Sequence, residues 1–299
     1  MRQHLVVVLG LCCLVCLGAC SGRVRSEGPL VVAHRGASGY LPEHTLGAYA
    51  AAYFMGADMI EPDVVSTRDG VLICFHDLYL EKVTNVEEVF PDRRRGDGHW
   101  YAIDFDYGEI EMLEVTGRGE VAWEGFPIPT FESFLSLIER LNTQTGRRVW
   151  IVPEIKEPSF HAAEGIDVTA LTVAALGRHR WDETMLIIQC FEQETLMALH
   201  DQYGDRYRLL QLIGNLDDVP QLEAISGYAW GIGPSRKVID AEPSVVRRAQ
   251  GLGMRVIPYT FRDDPEALRL YAGTHGVDGV FSDYADRALR VVGRGAASD

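Results

Sequence analysis

The chain has 299 residues, 47% of them hydrophobic, enough to bury a sizeable core, which excludes disordered and fibrous classes. Its formal net charge of −15 argues against nucleic acid or an anionic membrane surface as a partner. Beyond residue 20 only Cys74 and Cys190 remain, without a Cys/His cluster, so neither a disulfide framework nor a zinc site is indicated.

At the amino terminus Met1-Arg2 precedes an apolar run from Leu5 to Leu17, short for a membrane span and typical of a signal-peptide core. The run ends Leu17-Gly18-Ala19-Cys20-Ser21, where small residues before a cysteine resemble the bacterial lipobox. On that pattern residues 1–19 are a signal peptide, Cys20 is the lipidated residue and residues 20–29 form a short tether. A plain signal peptide cut nearby is the alternative. The expected location is therefore outside the cytoplasm, on a lipid anchor in a bacterial membrane, facing the periplasm or the cell surface. Ser21 carries no obvious inner-membrane retention signal. Removing residues 1–19 takes Arg2 and no acid, so the mature chain is one unit more negative. Cys74 and Cys190 lie in apolar stretches and are expected as buried free thiols, with a single bridge as the alternative.

Leu30 to Ala33 predicts a first strand, which stops at His34-Arg35-Gly36-Ala37-Ser38-Gly39. Polar groups where a buried strand ends, on a loop whose glycines admit a ligand to the backbone, suit an anion-handling site or an ordinary surface exit equally. A helix near 45–55 follows, with Thr45 as cap and Gly56 just past its end. In the second strand, near 58–64, Glu61 and Asp63 are two apart and share one face. Two such carboxylates in an apolar neighbourhood repel until one takes a proton or a divalent cation binds. Arg68-Asp69-Gly70 makes a turn, and Val71 to Phe75 returns to His76. That piece follows Asp63 too closely for a crossover helix, so it reads as a hairpin arm above the second strand.

Residues 78–129 are charged, aromatic and glycine-rich, and they break the alternation. They read as an insertion folded over the carboxyl-terminal mouth of a barrel, with Arg93-Arg94-Arg95 a solvated face. A helix near 131–141, with Thr130 as cap, leads to a third strand near 149–155 that ends Glu154-Ile155-Lys156. Further strands near 185–190, 207–212, 228–232, 254–260 and 278–282 alternate with helices near 165–178, 192–202, 217–225, 243–251, 265–273 and 284–292. Eight strands and eight helices predict an α/β fold, a single (β/α)8 TIM barrel over 30–292, with a tail at 293–299. His161, His179, His200 and His275 read as surface residues.

His-Arg-Gly-Ala at 34–37, Pro-Glu-His-Thr at 42–45, Glu-x-Asp-Val at 61–64, Phe75-His76-Asp77 after the Asp-Gly turn, and Glu154-Ile155-Lys156 form an ordered set. In order and rough spacing the set resembles the glycerophosphodiester phosphodiesterase family. Phe90-Pro91-Asp92-Arg93, the stretch 97–105, Gln189-Cys190-Phe191, the stretch 228–234, Pro258-Tyr259-Thr260 and the stretch 278–283 resemble its periplasmic and lipoprotein branch. The resemblance runs from Leu30 to about Leu289. Each motif is weak alone, and the ordered set is specific.

The resemblance implies hydrolysis of glycerophosphodiesters, such as deacylated phospholipid head groups, to glycerol 3-phosphate and an alcohol. Cleaving a phosphodiester monoanion needs a cation to withdraw charge, a base for the nucleophile and an acid for the leaving oxygen. Glu61, Asp63 and Glu154 offer only oxygen ligands, which favours Ca²⁺ or Mg²⁺ over zinc, with Ca²⁺ placed first. His34 and His76 can share the acid and base duties, since imidazole titrates near neutral pH. Arg35 can grip phosphate oxygens in a fork, and Lys156 adds a point charge. The resemblance implies these same roles and leaves open which histidine starts as base. Gln189, Phe191 and Tyr259, at predicted strand ends, line a glycerol or head-group pocket or else the core. Asp77 orients His76 or caps the next segment, and His44 organises the loop or first helical turn. Two other readings stand beside this one: a phospholipase D-like enzyme acting on intact lipids, and a surface ligand-binding lipoprotein with vestigial activity. No protein partner is implied, and the only membrane contact is the lipid anchor.

Overall fold

The structure is a computed structural model that describes residues 28–117, 123–179, 181 and 185–294. The expected signal peptide, the lipidation residue Cys20 and most of the tether lie outside the described residues. The strands are β1 Leu30–Ala33, β2 Met59–Ile60, β3 Asp63–Ser66, β4 Leu72–Cys74, β5 Trp150–Ile151 and β6 Glu154–Ile155. They continue as β7 Ile187–Cys190, β8 Arg208–Ile213, β9 Gly231–Pro234, β10 Arg255–Val256 and β11 Gly279–Ser282. The helices are α1 Leu46–Met55, α2 Val86–Val89, α3 Tyr107–Ile110, α4 Phe131–Thr145, α5 Pro158–Ala163 and α6 Val168–Gly177. After them come α7 Gln193–Tyr203, α8 Leu222–Ile225, α9 Arg236–Ala241, α10 Ser244–Gly251, α11 Pro265–Arg269 and α12 Ala285–Val291.

Parallel pairing runs β11-β1-β2-β5 in one set and β10-β9-β8-β7-β6-β3 in the other. Pro62 separates β2 from β3 and Pro153 separates β5 from β6. A proline has no N–H to give the ladder, so each stave is interrupted without being broken. Val152 N donates to Ile60 O at 3.0 Å and Glu154 N to Pro62 O at 2.9 Å, carrying the pairing across the gaps. The ring closes between the β10 and β11 staves, where Asp278 N donates to Val256 O at 2.9 Å and Phe281 N to Pro258 O at 3.0 Å. The architecture is the eight-stave TIM barrel expected from the alternation.

Side-chain alternation sorts two cores. Val32, Met59, Val152, Ile187, Leu210, Leu212, Ile257 and Phe281 point into the barrel. Val31, Ile60, Ile188, Leu209 and Ile213 point outward and meet the helices. The last stave before β10 starts three residues later than the expected 228–232. Its glycines explain both the weak strand signal and the placement: a Cβ on Gly231 would lie 2.7 Å from the Arg255 carbonyl oxygen, and one on Gly233 would lie 2.6 Å from Leu212 Cδ2.

β4 folds back antiparallel on β3, with Val64 opposite Cys74 and Ser66 opposite Leu72, and so returns His76 to the strand ends. The segment from 78 to 129 builds its own core from Leu80, Val83, Val86, Trp100, Phe105, Ile110 and Val115. Of its arginine triplet, Arg94 is exposed as expected of a solvated face, whereas Arg93 and Arg95 are half-buried and paired. Arg93 pairs with Glu109 at 2.5 Å, and Arg95 holds Asp104 and Glu164, both at 2.7 Å, tying the insertion to the end of α5. His161 is also not a surface residue: it is buried, accepts the Ser66 N–H at 3.1 Å and bonds the Glu157 carbonyl. His179 is partly buried between Glu132 and Glu139, at 2.7 Å from each. Cys74 and Cys190 are buried free thiols.

Candidate active site

Period-two alternation on the staves carries an apolar floor up to a polar rim. Above Met59 come Glu61 and Asp63, above Val152 come Glu154 and Lys156, above Ile187 comes Gln189, and above Val32 comes His34. The register sets Asp63 beside Glu154 and Glu154 beside Gln189. Ligand oxygens of Glu61, Asp63 and Glu154 lie within 4.8 Å of one another, and all three residues are buried. The first loop settles close against α1. Gly36 has φ +83, and a Cβ there would meet the Ala48 carbonyl carbon at 2.8 Å, so glycine lets His34 and Arg35 sit at the rim.

Burial pushes the Glu61 carboxyl well above its usual range, and the neighbouring Asp63 and Glu154 charges push the same way. Glu154 is raised to about 7, chiefly by burial, with Lys156 opposing. Burial acts upward on Asp63 too, but Lys156 and His44 outweigh it and hold this carboxyl well below its usual range. Asp63 Oδ1 is buried without a hydrogen-bond partner, as are Gln189 Oε1 and Arg35 Nε. Three convergent carboxylates and an orphaned carboxylate oxygen, with only oxygen donors, fit a hard divalent cation. The triad can hold one.

The cationic side chains close around the acids. Lys156 Nζ donates to Glu154 Oε1 at 2.6 Å. Arg35 donates its backbone N–H to Glu61 Oε2 at 3.1 Å and its guanidinium to Glu43 Oε1 at 3.0 Å, while its Nε is 3.5 Å from Asp63 Oδ2. Despite burial, which acts downward, the surrounding carboxylates raise both the Arg35 and Lys156 pKa values.

Each histidine has one ring nitrogen tied to an acid. His34 Nδ1 is 2.6 Å from Asp283 Oδ1, and its Nε2 is 3.8 Å from Glu61 Oε2. His76 Nδ1 is 3.0 Å from Asp77 Oδ1, which also accepts from Lys82. Burial lowers both pKa values, His76 to about 4; the Arg35 charge adds to the lowering at His34, and the aspartates oppose it. Both rings are thus set to be neutral near pH 7, able to take a proton.

The structure brings His34, Arg35, Glu61, Asp63, His76, Glu154 and Lys156 to one rim. Gln189 is fully buried and donates from Nε2 to Glu61 Oε1 at 2.6 Å. Phe191 is 44% exposed and stands edge-to-face with Tyr259 at 6.0 Å, forming one wall of the mouth. His44 does more than organise its loop, since its Nε2 is 2.9 Å from Asp63 Oδ2. Sequence reasoning missed Asp283 as a partner of His34. The available signal was Ser282-Asp283 at the end of an apolar strand, the same acid-at-strand-end pattern that marked Glu154.

A profile of the glycerophosphoryl diester phosphodiesterase family matches residues 34–287. A glycerophosphodiester phosphodiesterase of Haemophilus influenzae is 32% identical, the alignment covering 87% of this chain and 88% of that protein. One of Treponema pallidum is 34% identical over 67% of this chain and 62% of that protein. Among solved structures, a candidate glycerophosphoryl diester phosphodiesterase from Silicibacter pomeroyi superposes with a TM-score of 0.72 at 27% identity, covering 89% of this chain and 93% of that one.

Proposed function

The chain belongs to the glycerophosphoryl diester phosphodiesterase family, and we propose that it hydrolyses glycerophosphodiesters to glycerol 3-phosphate and an alcohol with a divalent cation and a histidine pair. The observation that carries this reading is the buried Glu61–Asp63–Glu154 triad ringed by His34, His76, Arg35 and Lys156. A cation held by the three carboxylates supplies charge withdrawal from the phosphodiester oxygens. Three carboxylates and a nearby amide oxygen suit Ca²⁺ better than Mg²⁺, which is usually held by one or two carboxylates and keeps several waters.

Arg35 grips a phosphate oxygen through its fork, and Lys156 adds a point charge on the other side of the triad. One neutral imidazole takes the nucleophile's proton, and the other takes a proton from solvent and gives it to the leaving alkoxide. Asp283 and Asp77 fix the ring orientations and stabilise the imidazolium when it forms. Phe191 and Tyr259 line the mouth where the glycerol or the head group rests. The amino-terminal pattern supports export and a lipid anchor on Cys20, toward the periplasm or the cell surface. No helix among the described residues is long and apolar enough to cross a membrane.

The test is glycerol 3-phosphate release by His34→Ala and His76→Ala. Each variant is expected to lose roughly 10²- to 10⁴-fold in kcat while keeping its circular dichroism spectrum. Folded variants with parental kcat would remove the histidines from the chemistry.

A further inference from the structure

At the triad, the side chains of Asp63, His44 and Tyr49 form a continuous buried chain. His44 is 2% exposed; its Nε2 lies 2.9 Å from Asp63 Oδ2 and its Nδ1 lies 2.8 Å from the Tyr49 hydroxyl. Tyr49 is fully buried. The members come from three places: β3, the loop before α1 and α1 itself. A carboxylate can only accept, so His44 Nε2 carries the proton it gives to Asp63. In the neutral ring Nδ1 then accepts the Tyr49 O–H.

Packing alone does not require this chemistry. The Tyr49 ring meets Phe134 edge-on at 4.6 Å, a contact that a phenylalanine would make as well. His44 also sits at φ +60, its N–H donating to the carbonyl of Arg35, which itself has φ +58. Two adjoining loop residues in a region that non-glycine residues seldom occupy hold the imidazole against Asp63. The consequence falls on the carboxylate. Oδ2 is taken by His44, with Arg35 Nε 3.5 Å away, while Oδ1 is buried and unpartnered.

We propose that His44, steadied by Tyr49, is a positioning residue that pins Asp63 Oδ2 so that Oδ1 faces the cation shared with Glu61 and Glu154. This rests on the cation-dependent reading of the site given above. A carboxylate with one oxygen fixed has a single orientation to offer, and residues that orient metal ligands in this way contribute strongly to affinity.

Calorimetric titration of Ca²⁺ into the metal-stripped full chain reads the role directly. His44→Ala is expected to bind Ca²⁺ about 10- to 100-fold more weakly than the parent. Excess Ca²⁺ should restore its kcat, which a general packing defect would not allow. His44→Asn keeps one N–H and tolerates the left-handed backbone, so it should recover most of the affinity. Tyr49→Phe keeps the ring contact and should lose several-fold. A folded His44→Ala that binds Ca²⁺ within about twofold of the parent overturns the positioning role and leaves the hydrolytic reading standing. Where His44→Ala does not fold, Tyr49→Phe decides, and unchanged affinity there overturns the relay. A parent chain that binds neither Ca²⁺ nor Mg²⁺ overturns the cation-dependent reading and this role together.

Discussion

Asp63 Oδ1, Gln189 Oε1 and Arg35 Nε are buried polar atoms without hydrogen-bond partners, and all three lie at the barrel mouth. Each such atom costs about 1–3 kcal/mol while unpaired, so the rim holds stability in reserve for what binds there. The same economy shows in the histidines, whose burial keeps them neutral and whose aspartates keep them oriented. Asp283→Ala is therefore expected to lower kcat by roughly tenfold or more, with a smaller change in KM, because it releases His34 from its orientation without removing it. Steady-state kinetics on a glycerophosphodiester check this, and an unchanged kcat would separate Asp283 from the proton transfer. The rim residues were legible in sequence because each ends an apolar run at period two. Their partners were not: Asp283 lies 249 residues from His34 and Gln189 lies 128 from Glu61, distances that only barrel closure brings to contact.

Among the elements, the staves were legible where β-branched runs mark them and blurred where proline or glycine intervenes. Pro62 and Pro153 split two staves into short pieces, and the glycines of β9 hid its register. The hairpin arm was readable because Val71 follows Asp63 too closely for a crossover. The small helices α2 and α3 were not, since four-residue helices carry no periodicity. Helix caps offer a test at this scale. Asp264 caps α11, accepting the Ala267 N–H at 3.0 Å, and this bond holds its carboxyl below the usual range with help from Arg236. A carboxyl depressed in the folded state contributes stability above its unfolded pKa and loses it as pH falls through the folded value. Asp264→Ala should thus cost about 0.5–1 kcal/mol at neutral pH, discounted because the side chain is half exposed. The gap to the parent should begin to narrow as pH falls below about 4. Thermal unfolding across pH 3–7 checks both halves, and a gap that stayed constant to low pH would contradict the cap.

For the whole molecule, a net charge of −15 sits poorly with an anionic substrate, and the barrel resolves this by gathering charge locally. Arg35 and Lys156 face the triad, while Arg93 and Arg95 of the insertion are spent on Asp104, Glu109 and Glu164. Closure of the ring makes the site possible, because the triad, the histidines and their partners come from both ends of the chain. The central claim is that the carboxylate triad works through a divalent cation on glycerophosphodiesters. It is met most directly by glycerol 3-phosphate release from glycerophosphocholine by the full chain, first in chelator and then with Ca²⁺ or Mg²⁺ restored. Release should stop in chelator and return with one of these cations, Ca²⁺ ahead of Mg²⁺. Undiminished release in chelator, or none from folded protein with either cation, would contradict it.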